Sequence, residues 1–208
     1  MALRRALRTV SCLALLCGLL ACDDLRQFKT GPHSVFRGEV VGSDSDPNGG
    51  SFIRQGFASH TQLELNFDPT LATQPISADA GAGQAEHGPG TIHSYVCPAE
   101  QPQCGVAGRA PGPFDHARLL PIENLAHDSL SQYTFPGGGR IRNYMFGTRF
   151  RSTSSQGVAE RYAMIFISLM ESGKIEVRAI APNVLARDGQ TELLPALFGV
   201  FVLERHRT

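Results

Sequence analysis

Hydrophobic and polar residues alternate in several short runs along the chain, and this alternation is typical of β-strands. In TQLELNF, residues 61–67, the alternation is uninterrupted. Because successive side chains of a strand point to opposite faces, the run predicts a strand with one buried and one solvent-exposed face. Stretches rich in β-branched and aromatic residues predict further strands at residues 35–42, 91–96, 130–135, 140–150 and 197–205.

A β-hairpin is predicted at RYAMIFISLMESGKIEVRAIAP, residues 161–182, with its turn at Ser172-Gly173, where glycine can supply a positive φ. The first arm is apolar on both faces. It therefore predicts a central strand that is covered on both sides, with Ile165 and Phe166 buried in opposite directions. The second arm alternates between apolar and charged residues, which predicts one exposed face.

The series amounts to about eight strands, separated by Gly, Pro, Asn and Asp and interrupted by no long amphipathic helix. It favours an all-β fold, an antiparallel barrel or sandwich with long Gly- and Pro-rich loops. The pattern also allows short helical turns at residues 47–58 and 114–120. Two connections, at 68–90 and 97–114, are long enough to be either functional or disordered, and the sequence leaves open whether 68–90 is ordered.

The first 21 residues differ from the rest of the chain. MALRRALRT is positively charged, and the following run VSCLALLCGLLA, residues 10–21, is apolar. A transmembrane helix needs about 20 apolar residues, so this shorter run predicts a helical signal peptide rather than a permanent membrane span.

Leu19-Leu20-Ala21-Cys22 ends the apolar run and resembles the lipobox of bacterial lipoproteins. The resemblance covers residues 1–22 only. It implies that the Cys22 thiol accepts a diacylglycerol, that the bond before Cys22 is cut, and that the new amino terminus is acylated. An ordinary secretory leader is the alternative, but Leu19 occupies a position where simple cleavage favours a small residue.

Three segments are therefore expected: a signal peptide at 1–21, a lipidated cysteine and tether at 22–33, and a single β-rich domain at 34–208. The lipid would hold the domain at a membrane on the extracytoplasmic side, in the cell envelope. Asp23 and Asp24 resemble an inner-membrane retention signal that some envelope systems use. The choice between inner and outer membrane stays open.

Composition and charge exclude some classes of function for this protein. Hydrophobic residues make up 42% and charged residues 18% of the chain, as in ordinary globular proteins. Without the three leader arginines, 16 basic residues face 19 acidic ones. A nucleic-acid-binding domain would carry clustered positive charge, so no nucleic-acid partner is expected.

Cys97 and Cys104 lie close together in CPAEQPQC. In an oxidising compartment this pair predicts a disulfide that closes a small Pro-rich loop. Two free thiols are the alternative. A metal site is less favoured, because the spacing is not C-x-x-C and no second cysteine pair exists in the mature sequence.

Two places offer metal-ligating or acid–base side chains. Asp44, Asp46 and Asn48 alternate before a glycine, like the first half of a calcium loop, but a neutral Gln55 stands where such a loop needs glutamate, so an ordinary turn is favoured. Asp115-His116 and His127-Asp128 are sequence neighbours whose side chains are expected to diverge, which favours exposed loop polarity. His87 and His93 are scattered and predict no site.

Three functions are consistent with these features. The favoured one is a non-enzymatic envelope lipoprotein, without a cofactor, that binds a protein or glycan partner; the sequence contains no G-x-S-x-G, Walker A or H-E-x-x-H motif. The second is a carrier with an apolar barrel cavity. The third is a hydrolase or metal enzyme that uses His116 and His127. The carrier cavity would be lined by Tyr144, Phe146, Met164 and Phe166.

Overall fold

The structure is a computed structural model that describes residues 25–42, 55–72, 89–121, 139–154, 157–182, 184–185, 192–194 and 196–207. This part of the chain consists mainly of β-strands, with a short 3-10 helix at Val106–Gly108 and two helical residues at 25–26, which confirms the all-β prediction. The strands are β1 Ser34–Gly42, β2 Gln55–Gly56, β3 Thr61–Phe67, β4 Gly90–Val96, β5 Ala110–Pro111, β6 Ala117–Arg118, β7 Leu120–Pro121, β8 Arg140–Ser154, β9 Gly157–Met170, β10 Ile175–Ala181, β11 Val184–Leu185, β12 Glu192–Leu194 and β13 Leu197–Arg207.

One curved sheet contains most of these strands, in the order β5-β4-β3-β1-β13-β10-β9-β8-β7. Neighbours along this path are antiparallel, as expected. The short strand β2 runs parallel to the start of β13, and β11 and β12 form a separate pair.

The two edges of the sheet approach each other at residues 117–121. Within this segment β6 pairs with β4, whereas β7 pairs with β8. The Thr148 hydroxyl on β8 also donates a hydrogen bond to the Arg118 carbonyl at 2.8 Å. The segment forms strand pairs rather than the helical turn that the sequence allowed, because both edges offer backbone partners. Among the strands that the structure describes, the ladder does not close between the two edges, and the arrangement fits a barrel or sandwich-like fold.

A single hydrophobic cluster fills the inner face of the sheet. Phe67 on β3 contacts Tyr144 and Phe146 on β8 across the interior, with ring centroids 5.5 and 6.1 Å apart. Fully burying one such large side chain contributes roughly 1.5–3 kcal/mol. The buried face predicted for β3 is confirmed, since Leu63, Leu65 and Phe67 are buried. The opposite face was predicted to be solvent-exposed and is so only in part, because Gln62 is buried there and Glu64 is partly buried.

The prediction that the first hairpin arm is covered on both faces is wrong. In β9, Ile165 is fully buried, but Phe166 is only half-buried, and Tyr162 and Met164 are 57% and 43% exposed. β9 is central along the hydrogen-bonding direction, between β8 and β10. An antiparallel sheet that curves around one core covers only its inner face, so a central position does not imply cover on both sides.

The hairpin turn itself is as predicted. Gly173 has a φ of 79°, and its N–H donates to the Met170 carbonyl at 2.9 Å. In β10, Ile175, Val177 and Ala179 are buried and the intervening side chains are partly exposed, which confirms the second arm.

Several predicted features lie outside the described residues: the leader with Cys22, the tether up to residue 24, the strand at 130–135, most of the 68–90 connection, and the side chains of Asp44, Asp46, Asn48, His87 and His127. Within the described ranges, no helix has the length and apolar character that crossing a membrane requires.

Candidate functional site

Polar side chains form a continuous group on the outer face of β1, β3 and β4. The strand register places Glu64 of β3 opposite Arg37 of β1 and opposite His93 of β4. Directly opposite residues of antiparallel strands share one face and lie within contact distance. Three titratable side chains from three strands are thereby aligned.

Glu64 is the centre of an ion-pair network. Its Oε1 lies 2.6 Å from Arg37 Nη2 and 3.4 Å from Arg109 Nη1. The Arg109 guanidinium also stacks over the Tyr95 ring, 3.8 Å from the ring centroid. All three charged side chains are largely withdrawn from water, where pairing is what makes their burial tolerable. The network therefore fixes the positions of Arg109 and Tyr95 on this face.

The loop after β4 forms a second layer over the network. Cys97 and Cys104 are placed at disulfide distance, with Cα atoms 5.5 Å apart, in agreement with the predicted bond. They pack with Tyr95 in a small cluster separate from the main core. Gln62 on β3 donates from Nε2 to the Pro102 carbonyl at 3.0 Å, which holds the loop against the sheet.

The loop that lies over the network explains why the pKa of Tyr95 is raised. Its side chain is almost fully buried although it lies on the outer face of the sheet. Burial, with a further contribution from the Glu64 carboxylate, raises the pKa of Tyr95 to about 12. Tyr95 therefore remains neutral beneath the loop at physiological pH.

A groove of about 360 Å³ lies beside the loop. Its floor comes from β1, β3 and β13, and one wall is formed by Pro102 and Gln103 of the loop. At Gly38 in the floor, any Cβ would overlap the Val202 carbonyl, so the close approach of β1 and β13 requires glycine. The remaining lining consists of Tyr95 and Val202 together with charged and polar residues: Arg37, Glu39, Gln62, Glu204, Arg205 and His206.

A second polar cluster lies at the edge of β4. His93 Nδ1 is 3.4 Å from Asp115 Oδ1, and the His93 and His116 rings stack with centroids 4.2 Å apart. One ligand atom from each of the three residues lies within 4.8 Å of the others. These are the described residues that could hold a metal ion.

The sequence prediction for these residues is corrected on one point. Asp115 and His116 are exposed, as expected, but they converge with His93, which was predicted to belong to no site. The connection between β5 and β6 runs alongside β4, because both short strands pair with it. Tertiary pairing thus joins residues that are 23 positions apart in the sequence.

Burial and the adjacent His116 ring lower the pKa of His93. Neutral imidazole is therefore favoured at neutral pH, with one ring nitrogen available as an acceptor. The His116 backbone N–H donates to His93 Nδ1 at 3.4 Å. His93 is thus held in place by both a ring contact and a backbone contact.

The prediction that four residues line one carrier cavity is wrong. Tyr144 and Phe146 are buried on the inner face, whereas Met164 and Phe166 pair with Gly147 and Met145 on the opposite face. The four side chains therefore do not line one space. Tyr144 and Phe146 pack against Phe67 in the core instead.

The network around Glu64 was missed by the sequence analysis, although a signal was present. Arg37, Glu64 and His93 all occupy polar positions of predicted strands, and pairing of those strands would have aligned them. The pairing order was not predicted. Comparison of the chain with protein-family models, with curated proteins and with solved structures gives no match.

Proposed function

We propose that this protein is a lipid-anchored lipoprotein of the cell envelope, whose β-domain binds a protein or glycan partner through the groove above Gly38. The lipobox-like sequence ending at Cys22 supports the anchor and its extracytoplasmic side. The Cys97–Cys104 pair supports an oxidising compartment, because such disulfides persist mainly outside the cytoplasm.

The observation that carries the binding role is the groove itself. Its lining combines positive, negative and amide side chains rather than a continuous apolar surface. A polar chain such as a peptide or a glycan can form hydrogen bonds with this lining, whereas an apolar ligand would find apolar surface mainly at Tyr95, Pro102 and Val202. The groove therefore favours a polar partner over the lipid cargo of a carrier.

Contacts within the protein hold both the floor and one wall of the groove in place. The Glu64 network fixes Arg37 in the floor, and the disulfide-closed loop fixes the wall at Pro102 and Gln103. A surface held in one arrangement before binding loses less conformational entropy when a partner arrives. We propose no catalytic step and no cofactor for this function.

Two changes of glutamine in the same loop test the groove. Gln103 lines it and Gln101 does not, and both side chains are exposed. Gln103→Trp should place an indole in the groove and so block the partner. The membrane-anchored variant should then retain envelope glycan strands or envelope proteins at least about tenfold less well, a loss of about 1.4 kcal/mol of binding free energy. Gln101→Trp is the matched control. Equal retention by the two variants would contradict the groove as the binding surface.

The anchor is tested separately. Cys22→Ala should abolish fatty-acid labelling and release the chain from the membrane fraction, because stable anchoring depends on the attached lipid chains. Labelling and fractionation of both forms measure this. Unchanged labelling of the Cys22→Ala chain would exclude the lipobox assignment without affecting the groove.

A further inference from the structure

His93, Asp115 and His116 form a cluster of potential metal ligands separate from the proposed partner-binding groove, whose lining contains none of them. We infer that this cluster binds a divalent transition-metal ion of the zinc type. The inference is independent of the proposed partner-binding function.

The backbone that carries two of the ligands is fixed on both sides. Before Asp115, the Ser94 N–H donates to the Phe114 carbonyl at 2.7 Å, and the Phe114 N–H donates to Ser94 Oγ at 2.8 Å. Ser94 and Phe114 are both buried, with Phe114 part of the main core. After His116, Ala117 pairs with Ile92 of β4. The ligands are therefore presented by a rigid scaffold, which a functional site requires.

His116 adopts an unfavourable backbone conformation. Its φ is 44°, in the left-handed region that non-glycine residues seldom occupy. This conformation accompanies the stacking of its ring on that of His93, the two planes being 8° apart. Residues held in such conformations cluster at binding and active sites, where the surrounding structure maintains them.

Two imidazoles and one carboxylate are a ligand set that suits zinc and related ions, with a fourth position left for water. Calcium and magnesium prefer oxygen ligands and are disfavoured here. At metal–ligand bonds of about 2.1 Å, two ligands of a tetrahedral site lie roughly 3.4 Å apart. The His93 Nδ1 to Asp115 Oδ1 distance of 3.4 Å matches this spacing, and an ion bound at Nδ1 would replace the long hydrogen bond that this atom accepts from the His116 N–H. The two parallel rings cannot both direct a nitrogen at one ion, so His116 must leave the stack when the metal binds, and its exposed side chain is able to rotate.

Calorimetric titration of the full chain in detergent micelles with Zn²⁺, after alkylation of free thiols, tests the inference. We expect one ion to bind at this site with a micromolar dissociation constant. His116→Asn and Asp115→Asn should each weaken this binding at least about tenfold. Asparagine tolerates the left-handed conformation at position 116, so that variant keeps the local backbone. His33→Gln, at an exposed histidine outside the cluster, is the control and should leave the affinity unchanged.

Two further measurements complete the test. Co²⁺ in place of Zn²⁺ should give the intense visible absorption of a four-coordinate ion, and this band should be lost in His93→Gln. If His93→Gln fails to fold, which a thermal melt without metal detects, the exposed His116→Asn variant decides the question. Wild-type affinity in both His116→Asn and Asp115→Asn, or equal binding of Ca²⁺ and Zn²⁺, would overturn the inference.

Discussion

The two halves of the curved sheet share one core but have different outer faces. Over β3 and β4, the disulfide loop and the Glu64 network cover the outside, and even Tyr95 is buried there. On β9, the outward side chains of Tyr162 and Met164 are exposed. In both regions the inward-facing apolar side chains are buried. The difference shows that the strand pattern sets the core, whereas a connecting loop decides which outer face becomes a structured surface.

The largest expected effect separates the two faces of β9. Ile165 is fully buried, whereas Met164 is 43% exposed. Ile165→Ala should lower the free energy of unfolding by about 2–5 kcal/mol, since it leaves a cavity in the core. Met164→Ala should change it by no more than about 0.5 kcal/mol. Urea denaturation measures both, and equal losses would show that the outer face of β9 is covered after all.

Removal of the disulfide should lower the free energy of unfolding and expose the outer face of β3 and β4. Cys97 and Cys104 are seven positions apart, so the bond closes a short loop. The loop-closure entropy for this length corresponds to about 2–3 kcal/mol, which a Cys97→Ser, Cys104→Ser double variant should lose. Tyr95 should then become accessible to nitration, while Tyr162 reacts in both proteins. A Tyr95 that stays protected would mean that the cover does not depend on the bond.

Two glycine positions test the close approach of β1 and β13 in the groove floor. A Cβ at Gly38 overlaps the Val202 carbonyl, whereas a Cβ at Gly31 meets nothing within 4 Å. Gly38→Ala should cost about 1–3 kcal/mol of stability, because β1 and β13 must move apart. Gly31→Ala should lie within about 0.5 kcal/mol of wild type. Thermal melts compare the two, and similar midpoints would contradict the close approach of these strands.

The smallest effect is expected at alkaline pH. The pKa of Tyr95 is raised from 10.0 to about 12, so between these values the unfolded chain releases a proton that the folded chain keeps. Stability conferred by the neutral phenol is complete below pH 10 and is lost as the pH rises toward 12. Tyr95→Phe should flatten this part of the stability profile. Tyr162→Phe, on the exposed face, is the control and should not.

Local pattern was sufficient for much of the fold. The strand at 61–67, its inward residues and the turn at Gly173 were predicted correctly, because side-chain alternation and the positive φ of glycine depend on residues close in sequence. The pattern failed at β9, where both faces are apolar. No local signal says which of two apolar faces a curved sheet will turn toward its core, so Ile165 and Phe166 could not be distinguished.

The sites depended on tertiary structure to a greater extent. The sequence alone was enough to predict the strand series and the cysteine pair, and it predicts an export-type leader that lies outside the described residues. Only the fold decided that Glu64 meets Arg37 and that His93 meets Asp115 and His116. These contacts arise from the order in which strands pair and from a loop that turns back along β4. Strand order is fixed by the packing of the whole core, and a local period of two residues carries no information about it.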